Sequence, residues 1–365
     1  MNLVLIVLVV SVIAAVLAAV LVFADTYINN YGECEIDVNE GTRTYTVKGG
    51  TSLLGALTDQ KLFIPSACGG RGTCGYCKVK VIDGGGPVLP TEDGFLSPEE
   101  KKENVRLSCQ VKVRGNIKIR IPDDLLSVRE FTCVCSRIRE LTYDIREFRF
   151  TLEEPDSITF VPGQYVQLLS PVYAGSSEEV YRAYSISSNP ADTAAIELVI
   201  RLVPGGICTT YCFEHLKEGS PVRFNGPYGE FRMSDTDAPM IMIAGGSGMA
   251  PFNSILHQMK STGCTRTAVY FFGARKVRDL FYIDEMRAFE KELPNFTFIP
   301  VLSEPQGEQW DGETGLVTEA VQRHFNDASG HEAYLCGSPG MIDASIVVLK
   351  KLGVPEDRIY YDKFS

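Results

Sequence analysis

The chain reads as a multidomain protein: an apolar amino-terminal helix, then a small α+β domain, an antiparallel β-barrel and a doubly wound α/β domain. Three observations predict this order. Leu3 to Ala24 carries no charged residue and is built almost wholly from Leu, Val, Ile and Ala. From Glu33 onward, short β-type runs alternate with turns and one amphipathic helical stretch. From Pro239 the pattern changes to strand, glycine turn and helix, the signature of a parallel sheet covered by helices. A length of 365 residues accommodates this, since domains run to about 100–200 residues each.

The first segment, residues 1–25, is long enough for the roughly 20 apolar residues that cross a bilayer. No Lys or Arg precedes Arg43, whereas a cleaved secretory signal carries a basic start and a shorter apolar core. A single transmembrane anchor is therefore expected. In the second segment, residues 33–125, the strand candidates are Glu35–Val38, Tyr45–Lys48, Cys77–Ile82 and Ile117–Ile121. Thr51 to Gln60 reads as a short helix through Leu53, Leu54 and Leu57. Another helix should start at Ser97-Pro98, where Ser is a natural N-cap, Pro suits the first helical position and Glu100 completes a capping box. Pro122 to Ser127 reads as a linker. Residues 130–234 are strand-rich, punctuated at Pro162-Gly163, Pro204-Gly205-Gly206 and Gly226-Pro227, which suggests a barrel. Residues 235–365 supply the α/β domain, with strands at Ile241–Ala244, Ala268–Phe272, Phe296–Ile299 and Ala333–Cys336.

Hydrophobic content of 45% with 22% charged residues is ordinary for globular protein. A net charge of −11 without a clustered basic face argues against a nucleic-acid partner. The eleven cysteines are unevenly spread. Four of them form one pattern: Cys68-Gly-Gly-Arg-Gly-Thr-Cys74-Gly-Tyr-Cys77, with Cys109 inside Leu107-Ser-Cys-Gln. Four thiolates suit a 2Fe-2S cluster, and the glycines let the loop fold tightly with its N–H groups free to donate to sulfur. Structural zinc sites instead pair two C-x2-C knuckles. Cys133 with Cys135 shares a strand face and Cys208 with Cys212 a helix face, so these read as core residues. The four histidines show no metal-ligand spacing.

Five residues separate Cys68 from Cys74, and the run Asp83-Gly-Gly-Gly-Pro-Val-Leu-Pro-Thr-Glu92 follows the three thiols. Together they are similar to the F subunits of sodium-translocating NADH:quinone oxidoreductases. The resemblance covers essentially the whole chain and implies a transmembrane helix followed by a β-grasp ferredoxin-type domain. Only the stretch between Val166 and Arg182 is shorter than in that family. Arg182-Ala-Tyr184-Ser185 is followed by Gly205-Gly206-Ile-Cys-Thr209, a glycine turn opening a helix whose N–H groups favour a pyrophosphate. The pair resembles the FAD barrel of the ferredoxin–NADP reductase superfamily. That resemblance implies Arg182 on the flavin pyrophosphate, Tyr184 against the isoalloxazine and Ser185 near its N5. Gly245-Gly246-Ser247-Gly248-Met249-Ala250-Pro251 follows a buried strand and opens a helix, a tight turn suited to lie beneath a dinucleotide phosphate. With Gly273-Ala-Arg275, Asp279-Leu-Phe-Tyr282 and Cys336-Gly337-Ser338-Pro339-Gly340-Met341 it resembles the superfamily's nicotinamide domain. By that resemblance Cys336 approaches the nicotinamide, Arg275 lines the adenosine ribose, and Phe364 in the terminal Tyr361-Asp-Lys-Phe covers the flavin. Ala274-Arg275, where NADPH-using relatives carry Ser-Arg, favours NADH.

The order of parts implies hydride transfer from NADH to FAD and single electrons to the 2Fe-2S cluster. The expected partners are the bilayer and integral-membrane electron-acceptor subunits, with the protein single-pass in the cell inner membrane and its globular part in the cytoplasm. Two other readings are a reductase component feeding an oxygenase, and a redox-sensing or docking protein.

Overall fold

The computed structural model describes residues 3–28, 31–305, 307 and 309–364. The chain divides into two compact units, one of Met1–Ser66 with Gly70–Ser127, the other of Val128–Ser365 with Ala67–Gly69.

Helix α1 runs Leu3–Ile28. Met1 and Asn2, where the expected anchor begins, lie outside the described residues. Within α1 the described side chains are Leu5, Val7 to Val20 and Phe23, all exposed. Among the described residues no helix is long and apolar enough to cross a membrane.

The remainder of the first unit is a five-stranded sheet formed by β1 (Glu33–Val38), β2 (Arg43–Lys48), β3 (Lys78–Asp83), β4 (Val105–Leu107) and β5 (Ile117–Arg120). Its order is β2-β1-β5-β3-β4, with β1 parallel to β5 and the other pairs antiparallel. Helix α2 (Leu53–Asp59) forms because Ser52 Oγ accepts from Gly55 N at 3.1 Å, and Leu53, Leu54, Ala56 and Leu57 bury one face. Helix α3 (Pro98–Lys102) has the expected capping box between Ser97 and Glu100. The linker expected at Pro122–Ser127 holds a 3₁₀ turn over Asp123–Ser127.

A buried ion pair organises this unit. Arg106 Nη2 and Glu92 Oε2 lie 2.6 Å apart, their side chains 1% and 0% exposed. Glu92 also accepts from the backbone of Leu89 at 2.8 Å and Leu107 at 2.9 Å. Arg106 Nη1 donates to the carbonyls of Gly85 and Gly86 at 2.9 and 2.7 Å. Burial alone would raise the Glu92 carboxyl, but Arg106 and the backbone donors hold it below its ordinary range. The pair thus ties the glycine-rich loop to the strand that delivers Cys109.

The second unit contains two sheets. The first is antiparallel: β6 (Arg129–Glu140), β7 (Ile145–Glu154), β8 (Tyr165–Ser170), β9 (Val180–Ser185), β10 (Ala195–Arg201) and β11 (Pro221–Tyr228), in the order β10-β7-β6-β11-β8-β9. It curls around a core that includes Phe131, Phe148, Phe150, Leu168, Leu198 and Phe224. The edges meet through one bridge, Ile186 to Leu198, so the expected barrel takes the form of a half-barrel sheet. Helix α4 (Ile207–Thr210) passes directly into a π turn over Tyr211–His215.

The second sheet is parallel: β12 (Met240–Gly245), β13 (Ala268–Ala274), β14 (Phe296–Leu302), β15 (Glu313–Thr314), β16 (Glu332–Gly337) and β17 (Ile359–Lys363), in the order β15-β14-β13-β12-β16-β17. Helices α5 (Met249–Ser261) and α6 (Ile283–Glu292) pack on one face, α7 (Val317–His324) and α8 (Pro339–Lys351) on the other. The strands are buried on both faces and therefore read as continuous apolar runs, such as Met-Ile-Met-Ile-Ala in β12.

Arg106→Ala leaves the Glu92 carboxylate buried without its counter-charge, which costs about 3–5 kcal/mol. The expected outcome is a urea midpoint for the first unit lowered to match. A loss below about 1 kcal/mol, the worth of an exposed pair, would show that this pair does not hold the loop.

Candidate active site

The candidate residues lie on strands and on the loops and helix starts beside them. The loop after Ser66 carries Gly69, Gly70, Gly72 and Gly75 at φ 66°, 85°, 73° and 74°. These left-handed positions suit glycine and turn successive N–H groups to one side. A Cβ on Gly72 would lie 2.6 Å from Gln110 Nε2, and one on Gly75 2.9 Å from Phe95. Cys77 is buried and shares a hydrogen bond with the Cys109 thiol. That thiol first, and burial second, push the Cys77 pKa up. Ser108 Oγ is fully buried with no regular hydrogen-bond partner, and its effect falls on the Cys77 sulfur. Among the described residues no group of three or more His, Cys, Asp or Glu side chains is set as a metal cage. The structure therefore brings Cys77 and Cys109 together, with Cys68 and Cys74 half-buried on the same glycine loop. Thiol donors and left-handed glycines on one loop fit an iron–sulfur cluster.

In the second unit β9 carries Arg182, Tyr184 and Ser185. Arg182 Nη1 donates to the Tyr181 carbonyl at 2.8 Å. Burial, then the neighbouring Cys208 and Cys212, push the Tyr184 phenol well up. The turn before α4 holds Gly205 at φ 72°. A Cβ on Gly206 would sit 2.7 Å from Thr209 Oγ1. That hydroxyl is tied to the turn, donating toward the carbonyls of Val203 and Gly206 at 3.2 and 3.3 Å. Because α4 is one turn long, what this corner offers an anion is the turn's own N–H groups.

The turn after β12 runs Gly245 to Gly248 and enters α5 at Met249, with Pro251 in its first turn. A Cβ on Gly248 would come within 2.3 Å of the Cys336 carbonyl oxygen, so this turn and the end of β16 touch backbone to backbone. Gly245 and Gly337 both pack on Met341. Strand β17 lies parallel to β16 with Asp362 opposite Cys336, and Phe364 N donates to the Gly337 carbonyl at 2.9 Å. Phe364 is half-buried against the core beneath α5 and α6. Arg275 lies just beyond β13, 78% exposed, with Nε 3.4 Å from Glu304 Oε1. It stands apart from the group around Cys336.

Three residues of this region were not predicted. Asp362 stands opposite Cys336 in the strand register and neighbours Ser185 of the half-barrel. Burial pushes its carboxyl up to about 6 against the opposing effect of the Ser185 hydroxyl. Burial, and then the Asp362 charge, raise the Cys336 thiol well above its ordinary value, so it stays protonated. Arg201, at the end of β10, is paired with Asp144 at 2.7 Å, and its Nη1 is 3.6 Å from where a Gly246 Cβ would be. Asn253 on α5 donates to the Ser187 carbonyl at 2.9 Å. Asp362 alone had a signal, since it falls inside the terminal aromatic motif.

Fold and site define an oxidoreductase in which a cysteine-loop domain, a flavin-type half-barrel and a dinucleotide-type sheet share one chain. The 2Fe-2S iron-sulfur cluster binding domain family matches residues 36–114, the oxidoreductase FAD-binding domain family residues 132–233, and the oxidoreductase NAD-binding domain family residues 242–346. The chain is 36% identical over 398 residues to the F subunit of the Na(+)-translocating NADH-quinone reductase of Neisseria meningitidis serogroup C, covering 97% of each. Its identity to the F subunit of the Pasteurella multocida enzyme is 34% over 399 residues, again covering 97% of each. The chain belongs to the family of Na(+)-translocating NADH-quinone reductase F subunits. It is an enzyme of FAD, 2Fe-2S and NADH. Among solved structures, the Amycolatopsis cytochrome P450 reductase GcoB matches with TM-score 0.73 and 28% identity over 91% of this chain and 98% of that one. The ferredoxin reductase in carbazole 1,9a-dioxygenase shares the fold, with TM-score 0.70 and 23% identity over 92% and 99%.

The Asp362 carboxyl keeps its proton up to about pH 6 in the folded chain, against an ordinary value of 3.8. Its ionisation therefore weakens the fold, a cost absent below about pH 4 and fully present above about pH 6. Asp362→Asn, which can still accept from Ser185, should raise the thermal midpoint over wild type at pH 7.5 but not at pH 4. Equal differences at both pH values would show that this carboxyl titrates normally.

Proposed function

We propose that the chain is the membrane-anchored, electron-input subunit of an NADH:quinone oxidoreductase, with its globular part on the cytoplasmic side of the inner membrane, where NADH is. One observation carries the reading: β17 sets Asp362 opposite Cys336 of the parallel sheet and next to Ser185 of the half-barrel. That junction lies between the flavin-type and dinucleotide-type motifs, where a hydride would have to cross. When bound, FAD supplies the exchange between hydride and single electrons, and the 2Fe-2S cluster supplies the one-electron exit.

The residues divide the work by position. Cys68, Cys74, Cys77 and Cys109 hold the cluster from residues 33–125. Arg182, Tyr184, Ser185, Gly206 and Thr209 hold FAD in residues 130–234, with Thr209 acting by fixing the turn. Gly245, Gly246, Gly248, Met249, Pro251, Arg275 and Gly337 hold NADH in residues 235–365. Arg201 adds a guanidinium at the mouth of the Gly246 turn, suited to phosphate. Ser185 and Cys336 orient the reacting groups as neutral hydrogen-bonding side chains, and Phe364 covers the flavin until nicotinamide arrives. The Glu304 carboxylate beside Arg275 opposes a second phosphate on the ribose, which supports NADH over NADPH.

The anchor is supported by the apolar composition of α1 and by the exposure of its described side chains, which water would not favour. Integral-membrane subunits are the partners this reading calls for. A second reading, a reductase component serving an oxygenase, is favoured by the short connection between β8 and β9 and by the likeness to the P450 reductase.

Two experiments test the assignment. In Cys74→Ala the 2Fe-2S absorbance should vanish, while FAD content and NADH-dependent reduction of a flavin-accepting dye stay near wild type. Quinone reduction in membranes should fall by orders of magnitude. Full quinone reduction without the cluster would make the flavin domain the exit. Deleting residues 1–25 should release the protein from membranes with its NADH-to-dye activity intact. Loss of FAD on that deletion would place the segment within the folded body instead.

A further inference from the structure

Tyr282 is an unusual residue for its position. It occupies the N-cap of α6 at φ 57°, ψ 21°, with no side-chain capping bond. Left-handed backbone is disfavoured for a bulky aromatic, and an N-cap ordinarily carries a short polar side chain. Such a conformation persists only where its surroundings over-determine it. Here the surroundings belong to the half-barrel. The Tyr282 hydroxyl donates to Glu147 Oε2 on β7, and both side chains are about 95% buried, at 5% and 4% exposure. Arg137 Nη2 binds the other oxygen of Glu147 at 2.8 Å. The Arg139 guanidinium lies over the Tyr282 ring, 5.1 Å from its centroid, and reaches Glu285 of α6 at 2.7 Å.

We propose that Tyr282 is a positioning residue, whose bond to Glu147 holds the dinucleotide-binding sheet at a fixed angle on the half-barrel and thereby sets the approach of nicotinamide to flavin. The inference rests on the functional reading above. The two parts meet at separated places, among them Asn253 to Ser187 near the Ser185 junction, and Tyr282 to Glu147 and Arg139 to Glu285 at the root of α6. Of these, the Tyr282 bond is the buried one at the α6 end, where it has most leverage on the angle between the parts. Burial, and then the Glu147 charge, push the Tyr282 phenol far above its ordinary range, so the donor proton is present at every working pH. A phenylalanine would fill the same space and keep the Arg139 contact, which makes the hydroxyl the specific element.

The test uses the full-length, FAD-loaded protein. In Tyr282→Phe the single-turnover rate of flavin reduction at saturating NADH should fall by about tenfold or more, since small misplacements of reacting groups carry such losses. NADH affinity and FAD content should stay within about twofold, the scale of a pin that is not a ligand. Glu147→Gln keeps an acceptor oxygen and should retain most of the rate, whereas Glu147→Leu should match Tyr282→Phe. The double variant should be no slower than either single one. Amide exchange in residues 276–286 and around Ser187 should quicken in Tyr282→Phe with or without NADH. A wild-type rate in Tyr282→Phe, or unchanged exchange in both segments, overturns the proposal. If wild-type flavin is not reduced by NADH at all, the functional reading fails, and the exchange measurement still decides whether the pin exists.

Discussion

The second unit depends on a close backbone approach: Gly248, opening α5, lies against the Cys336 carbonyl with no room for a Cβ. This contact sets the turn after β12 directly beside the end of β16, and β17 brings Asp362 and Phe364 alongside. Every group at the junction is then placed by strand register. Cys336 stands opposite Asp362 because β16 and β17 run parallel, and the Phe364 amide is held by Gly337 for the same reason. A side chain at position 248 would push the turn after β12 away from the end of β16.

Buried charge is handled differently in the two units, although the physics is shared. At Glu92 one guanidinium and two backbone donors overcome desolvation. At Glu332 burial again opposes ionisation, yet Ser234, Thr236, Tyr334 and Arg266 hold the carboxyl at about 2. Both carboxylates tie segments distant in sequence, residues 84–92 to β4 and residues 234–238 to β16. Asp362 has too few donors, so burial wins and its value moves the opposite way. The number of donors, rather than depth alone, decides which carboxyls are structural clamps and which can exchange a proton near neutral pH.

What could be read from the sequence was local. The cysteine loop, the Arg182-to-Ser185 strand, both glycine turns and the two capped helices announce themselves because a turn, a cap or a ligand set is specified by adjacent residues. Periodicity gave the curled sheet as a barrel, but whether its edges close depends on how β9 and β10 approach, and a single bridge at Ile186 is what forms. Thr209 was expected among the FAD-binding residues, and its hydroxyl fastens the Gly206 turn, a contribution that residue type does not encode. Asp362, Arg201 and Asn253 were missed because their partners lie far along the chain and no spacing marks such a pair.

The same distinction explains how one chain combines rigid and responsive parts. The glycine turns and buried ion pairs leave no alternative packing: a Cβ has nowhere to go at Gly248, and neither Glu92 nor Glu332 can lose its partners without burying a bare charge. The junction of Ser185, Asp362 and Cys336 is made of groups that hold or share protons without ion pairing. The Cys336 thiol stays neutral, while the Asp362 carboxyl beside it changes charge near pH 6. Ion pairs in the clamps keep the scaffold fixed, while a single titrating carboxyl at the junction leaves its charge open to pH and to whatever binds beside it.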